Sequence, residues 1–322
     1  MNAMTQRIGD SPAATIIARY GIVISFVLLF VVLSMGSPNF LSANNLINVL
    51  RQVSINGVLA VGMTFVILTA GIDLSIGSLL ALAGAASASL VTGPDALNPA
   101  IALVAGVIAG SFCGAVNGVF IAHFRVPAFV TTLGMLSVAR GATLLYSGGR
   151  PIPNLSIGFR WLGQGSIVGI PVPVIIFAIV FAIAAVVLRY TVYGRRIYAV
   201  GGNPRSAKTS GINVRAITFS VYMIMGGLAG LAGVMLTART TSALPQAGVG
   251  YELDAIAAVV IGGTSLTGGV GRIGYTLVGV LIIGMISNGL DLMGVSSYYQ
   301  QIIKGSIIVM AVLVDRSRMR GE

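Results

Sequence analysis

Long apolar runs with no break in hydrophobicity are what most constrain this chain. Residues 21–33 and 172–188 carry no charged side chain and show no alternation of polar and apolar positions. A membrane-crossing strand needs only about 9–11 residues of alternating polarity, whereas a membrane-crossing helix needs about 20 apolar ones. Lipid offers no partners to backbone N–H and C=O groups, so runs of this kind read as helices, which satisfy their own. Charged residues make up 8% of the 322 and hydrophobic residues 56%, against about 25% charged in an ordinary soluble domain. So little charge cannot cover a water-facing surface. Disordered, nucleic-acid-binding and soluble-enzyme readings are excluded for the chain as a whole. The expected fold class is all-α, a polytopic helical membrane protein.

At about 20 residues per crossing, the length admits roughly eight to ten helices. The first apolar segment follows Arg7 and Arg19 and runs to about residue 36. Ser34-Met35-Gly36 imitates a leader cleavage site, but the run is long enough to cross and further spans follow it. Later segments cover 46–70 (interrupted by Arg51), 79–91, 100–122, 127–147, 170–188, 216–237, 253–261, 275–290 and 299–314. Residues 148–169 are polar, hold the single Trp161, and read as the longest loop on their side.

Lys and Arg mark cytoplasmic loops. With ten crossings and both termini inside, Arg7, Arg125, Arg189, Arg195, Arg196, Arg205, Lys208, Arg215, Arg272 and Arg316 all fall on the cytoplasmic side. Only Arg150, Arg160 and Arg239 fall outside. This distribution explains the net charge of +11 without nucleic acid. We expect about ten transmembrane helices with broken or re-entrant segments, cytoplasmic N and C termini, and a single transmembrane domain over residues 1–322. Its main cytoplasmic loop covers about 190–215. Cys113 and His123 are the only residues of their kinds, so no disulfide and no metal site is expected.

Two strings imitate nucleotide sites. Residues 202–209 fall one glycine short of a P-loop, and residues 269–274 match G-x-G-x-x-G, but neither has the strand–loop–helix setting such sites need. The chain therefore holds no ATPase apparatus. More informative are polar breaks in apolar segments, at 71–78 with Asp73 and at 262–271 with Thr264 and Ser265. Non-helical backbone survives at membrane depth only when it is buried in protein or lines a cavity; each break reads equally as a surface loop. Arg51, Arg140, Asp254, Asp291 and Lys304 lie in or beside apolar runs, where pairing with other groups is the commoner outcome. The small residues of 106–118 and 226–230 read as close helix packing. In the basic loop, asparagine at 203, proline at 204 and glycine at 211 have the pattern of a short capped helix, a surface on which a partner can dock.

Strings in several places carry a resemblance. They are Gly71-Ile72-Asp73-Leu74-Ser75-Ile76-Gly77-Ser78, Gly201-Gly202-Asn203-Pro204 through Ser210-Gly211-Ile212, and Tyr251-Glu252-Leu253-Asp254-Ala255 through Val260. Gly262-Gly263-Thr264-Ser265-Leu266 with Gly268-Gly269, and Gly294-Val295-Ser296-Ser297-Tyr298-Tyr299-Gln300, complete the set. In this order the chain resembles permease subunits of bacterial ATP-binding-cassette importers for monosaccharides, most nearly the ribose type. The resemblance implies a non-enzymatic, homodimeric pathway in the bacterial inner membrane. It also implies a cytoplasmic ATPase subunit that binds ATP and Mg, and a periplasmic sugar-binding protein that delivers the solute. The positions matching the family's coupling helix are Asn203, Pro204, Ala207, Gly211 and Ile212.

No sugar contact carries over from the resemblance. On physical grounds the pathway candidates are Asp73, Asn117, Thr131, Thr132, Thr264, Ser265, Asn288 and Gln300, polar groups that can exchange hydrogen bonds with hydroxyls or equally with a neighbouring helix. Other solutes (xylose, galactose, a polyol, a branched-chain amino acid) stay open. So does an ion-coupled secondary transporter using Asp73, Asp254 or Asp291. A membrane-embedded enzyme is disfavoured, since no H-E-x-x-H or G-x-S-x-G motif occurs.

Overall fold

The computed structural model describes residues 12–319. Arg7, used above to orient the chain, lies outside the described residues. The chain opens with α1 (Pro12–Gly36), α2 (Ala43–Leu68), α3 (Ile76–Leu90), α4 (Pro99–Ala122) and α5 (Ala128–Ser147). After α6 (Ile157–Gln164), a small hairpin of β1 (Ser166–Ile167) and β2 (Ile170–Pro171) leads into α7 (Val172–Tyr190). Two short helices, α8 (Val192–Gly202) and α9 (Pro204–Thr209), precede α10 (Val214–Thr240), α11 (Tyr251–Ile261), α12 (Ile273–Leu292) and α13 (Ser297–Met319).

The helical membrane protein expected from the sequence is what forms. Among the described residues α2, α4, α5, α7, α10 and α12 are long and apolar enough to cross a membrane; the described stretch Gly21–Gly36 of α1 and helix α3 are apolar but shorter. The segment at 253–261 is a different object from a crossing helix. As α11 it has 11 residues, a rise of about 16 Å against the roughly 30 Å of a hydrocarbon core. By itself α11 is therefore too short to cross.

Arg51 does not interrupt α2, because its guanidinium reaches out to the Gln164 carbonyl at 2.9 Å. Residues 148–169 are more than a loop. Phe159 of α6 is fully buried among Ala85, Ala88, Ala102, Val234 and Ala238, which pins α6 across the ends of α3, α4 and α10.

Helices α2 and α10 form the buried centre, and α4, α5 and α7 turn apolar side chains such as Ile108, Phe112, Val138 and Ile183 outward, where lipid would meet them. The most extensive crossing joins α4 to α10 through Gly106, Gly110 and Gly114 on one side and Gly226 and Gly230 on the other. Small residues in this four-residue spacing allow backbones to touch, which is how helices associate where lipid is as apolar as the side chains. His123, Arg125, Arg189, Arg205, Lys208, Arg215 and Arg272 lie at the termini of α4, α7, α9, α10 and α12. That end of the bundle is called the basic end below.

Candidate functional site

Helix α2 closes on Ala70, a non-glycine residue at φ 60°, and the chain turns back into the bundle without helical structure until Ile76. Asp73 in this return is completely buried. Its Oδ1 accepts the backbone N–H of Ser75 at 2.9 Å and the Ser75 hydroxyl at 2.5 Å. The Ser75 Oγ in turn accepts Asn117 Nδ2 of α4 at 3.0 Å. Two long hydrogen bonds hold the neighbouring Ile72 carbonyl, one from the Tyr222 hydroxyl of α10 (3.4 Å) and one from Thr132 of α5 (3.5 Å). The break is therefore buried in protein, as non-helical backbone in a membrane requires. Asn117 lies five residues before the end of α4, Thr132 four after the start of α5, and Tyr222 eight after the start of α10. At 1.5 Å per residue, that is about 6–12 Å inside the helix ends.

Three of the pathway candidates, Asp73, Asn117 and Thr132, thus meet in one cluster. Asp73 Oδ2 and Asn117 Oδ1 are buried without any donor. Among the described residues the single ion pair is Lys304–Asp254, so no cation offsets Asp73. Two buried acceptors without donors are the groups here most able to take new hydrogen bonds, because an unmet polar atom costs about 1–3 kcal/mol. Sequence reasoning left out Ser75, which bridges the two, and Tyr222. The signal for Tyr222 was its hydroxyl inside the apolar run 216–237.

The other candidates lie elsewhere. Asn288 and Asn45 exchange reciprocal side-chain hydrogen bonds (3.0 and 2.8 Å) between α12 and α2. Gln300 donates to Asp291 at 2.7 Å and to the Val295 carbonyl at 3.0 Å, fastening the turn between α12 and α13. Thr131 bonds back to the Pro127 carbonyl. Thr264 is buried against Gly271, with its hydroxyl unpartnered, and Ser265 lies 3.0 Å from the Thr267 hydroxyl. That second break does not enter the bundle with the first. It packs on the basic end, where Gly269 N–H donates to the Leu68 carbonyl at 3.0 Å. The embedded charges are paired or hydrogen-bonded, as their positions predict: Lys304 with Asp254 at 2.9 Å, and Arg140 with the carbonyls of Pro245 and Ala247 at 2.5 and 2.9 Å.

The basic end carries a second constellation. Asn203 Oδ1 accepts the backbone N–H groups of Arg205 and Ser206, both at 3.0 Å, and Pro204 occupies the first turn of α9. At the other end Gly211 adopts φ 82°. Its N–H donates to the Lys208 carbonyl, and the N–H of Ile212 to the Ala207 carbonyl, both at 3.0 Å. This is a Schellman closure, in which the left-handed residue is almost always glycine. Ala207 and Ile212, the two apolar positions of that closure, pack on the main core. The five residues picked out at this loop are thus the cap, the first turn and the closure of one six-residue helix. A groove of about 940 Å³ beside it is lined by Arg125, Arg205, Lys208 and Arg215. Helix α8 connects this unit inward: Gly201 packs on the Leu68 carbonyl and on Gly269, and Tyr198 donates to the Gly271 carbonyl at 3.1 Å. Burial raises the Tyr198 pKa above the ordinary phenol value, against a smaller opposing effect of Arg272, so it stays a neutral donor.

Residues 45–312 match a family described as branched-chain amino acid transport system / permease component. The chain is 52% identical over 300 residues to the ribose import permease protein RbsC of Escherichia coli K12, covering 92% of each chain. It is 48% identical over 305 residues to the protein of that name in Bacillus subtilis, covering 94% of each. Identity to the L-arabinose ABC transporter permease protein AraH of Azospirillum brasilense is 38% over 325 residues, 97% of this chain and 95% of that one. No solved structure matches the chain at a significant level.

Proposed function

Since the chain belongs to the family of branched-chain amino acid transport system permease components, we propose that it is the membrane subunit of an ATP-driven importer whose solute is ribose. The observation that carries the solute is the 52% identity over 92% of both chains to a ribose import permease, against 38% to the L-arabinose protein. On this reading the protein sits in the bacterial inner membrane as one of two identical copies. An ATPase subunit, which binds ATP and Mg, docks on α9 at the cytoplasmic face, and a periplasmic sugar-binding protein docks at the opposite face. The ion-coupled alternative is disfavoured by the relatives, one of which is an ABC transporter permease by name. Of its three carboxylates Asp254 and Asp291 are engaged by Lys304 and Gln300, which leaves Asp73 alone with an open oxygen.

ATP binding acts through differential affinity for two arrangements of the permease. The route for that bias runs from α9 through α8 to the end of α2, where Gly201 and Gly269 both contact Leu68. From there it reaches the break at Asp73, a few residues further along. In proteoliposomes holding the permease, its ATPase and the binding protein, ribose uptake is expected to require ATP and to survive an ionophore. L-arabinose should compete poorly. Uptake by the permease alone refutes the reading. Gly211→Val forces an L side chain into the left-handed region at about 1–2 kcal/mol, enough for about a tenfold fall in uptake, while the complex still assembles and hydrolyses ATP. Unchanged uptake removes the docking role of α9.

The proposed topology keeps ten passages and both termini cytoplasmic, with α11 and its preceding loop sharing one passage. Single cysteines replacing Arg205 and Arg150, in a Cys113→Ser background, are expected to label from opposite faces of the membrane. Labelling of both from one face overturns this topology.

A further inference from the structure

A second groove, of about 780 Å³, opens at the basic end between α1, α7, α8 and α12. Its wall is apolar, formed by Val23, Phe181, Ala185, Leu188 and Val278. Its mouth is cationic. Arg189 lies in the last turn of α7 and Arg272 immediately precedes α12, and both line the groove. Each therefore stands where an apolar crossing helix ends, which is the level of lipid headgroups. Both are exposed. Neither guanidinium makes a hydrogen bond or ion pair with another described residue; Arg189 only stacks over the Tyr190 ring, 5.2 Å from its centroid. Helix α12 starts at the same mouth with no side-chain cap and no acidic residue in its first turn. Its leading N–H groups thus add further positive potential there.

We propose that this groove binds one anionic phospholipid, with the phosphate between Arg189 and Arg272 and an acyl chain along the wall from Leu188 to Val23. Basic pockets between membrane helices favour such headgroups. The apolar wall is what selects a lipid over free phosphate. A zwitterionic lipid is disfavoured because its ammonium group would face the second guanidinium. A second copy of this chain suits the groove poorly, since a twofold dimer packed on this face brings a second Arg189 and Arg272 against the first pair. The inference needs only that the protein lies in a membrane, so it stands or falls independently of the solute carried.

Native mass spectrometry of the full chain in detergent, offered equal amounts of phosphatidylglycerol and phosphatidylethanolamine, tests it. Phosphatidylglycerol should be retained preferentially. Arg189→Gln and Arg272→Gln should each lower its retention about fivefold, and the pair about thirtyfold. Both side chains are exposed, so these variants should fold. Val278→Trp, which fills the groove and leaves both arginines in place, should also lose the lipid, while Arg150→Gln should retain it. Equal retention of the two lipids by the unaltered chain, or full retention of phosphatidylglycerol by the double arginine variant, overturns the proposal. So does a disulfide between two copies carrying Val23→Cys, which would show that protein covers the groove.

Discussion

Gly110→Leu is expected to abolish recovery of folded protein. A Cβ at Gly110 collides with the Gly226 carbonyl oxygen and lies 2.8 Å from the Gly230 nitrogen. Both obstacles are backbone, so no rotamer change relieves the clash and α4 must move away from α10. Overpacking that side chains can absorb costs about 1–3 kcal/mol; here the rigid backbones put the cost above that range. The movement would not stay local. Gly233 of α10 packs on the Leu80 carbonyl of α3, and Asn117, two turns further along α4, holds Ser75 at the break. Gly134→Leu in α5 is the control, because a Cβ there meets nothing within 4 Å and replacing a helical glycine gains up to about 1 kcal/mol. Monodisperse yield and the melting midpoint in detergent should separate the two variants. Equal midpoints refute the assignment of the α4–α10 crossing.

What the sequence made legible was local. Helical crossings followed from apolar length, and α9 followed from Asn203, Pro204 and Gly211, because capping chemistry is contained within a few adjacent residues. The glycine pattern announced close packing, though not which helices it would join. The inside and outside of each helix were hidden. In a soluble protein an apolar stripe reports the buried face. Here lipid and core are equally apolar, so the buried α2 and the outer α4 read alike. For the same reason the eight polar pathway candidates could not be sorted in advance. Asp73, Asn117 and Thr132 come together only through the packing of α3, α4 and α5, while Asn288 and Gln300 are spent on Asn45 and Asp291. Residues 148–169 read as loop in the sequence because α6 is held by Phe159 in a distant pocket, not by any local signal.

The second large effect is expected at the single ion pair among the described residues. Lys304 of α13 contacts Asp254 of α11 at 2.9 Å, with the aspartate side chain 7% exposed and the lysine 21%. With only 11 residues, α11 is shorter than the roughly 12–15 at which isolated helices become even marginal in water, so its order depends on such contacts. Lys304→Met leaves a buried carboxylate without its cation, a loss of about 3–5 kcal/mol for fully buried pairs. The partial exposure of Lys304 places this case near the lower end. Asp254→Asn removes the other partner and should cost less, since the long lysine stem can carry its charge toward water. The double variant Asp254→Asn with Lys304→Met should recover most of the loss, because no buried charge is then left unpaired. The order of melting midpoints is therefore expected to be Lys304→Met lowest, Asp254→Asn intermediate, and the double variant nearest the unaltered chain. If the double variant melts below Lys304→Met, the loss comes from packing rather than from an uncompensated charge, and the electrostatic account of α11 fails.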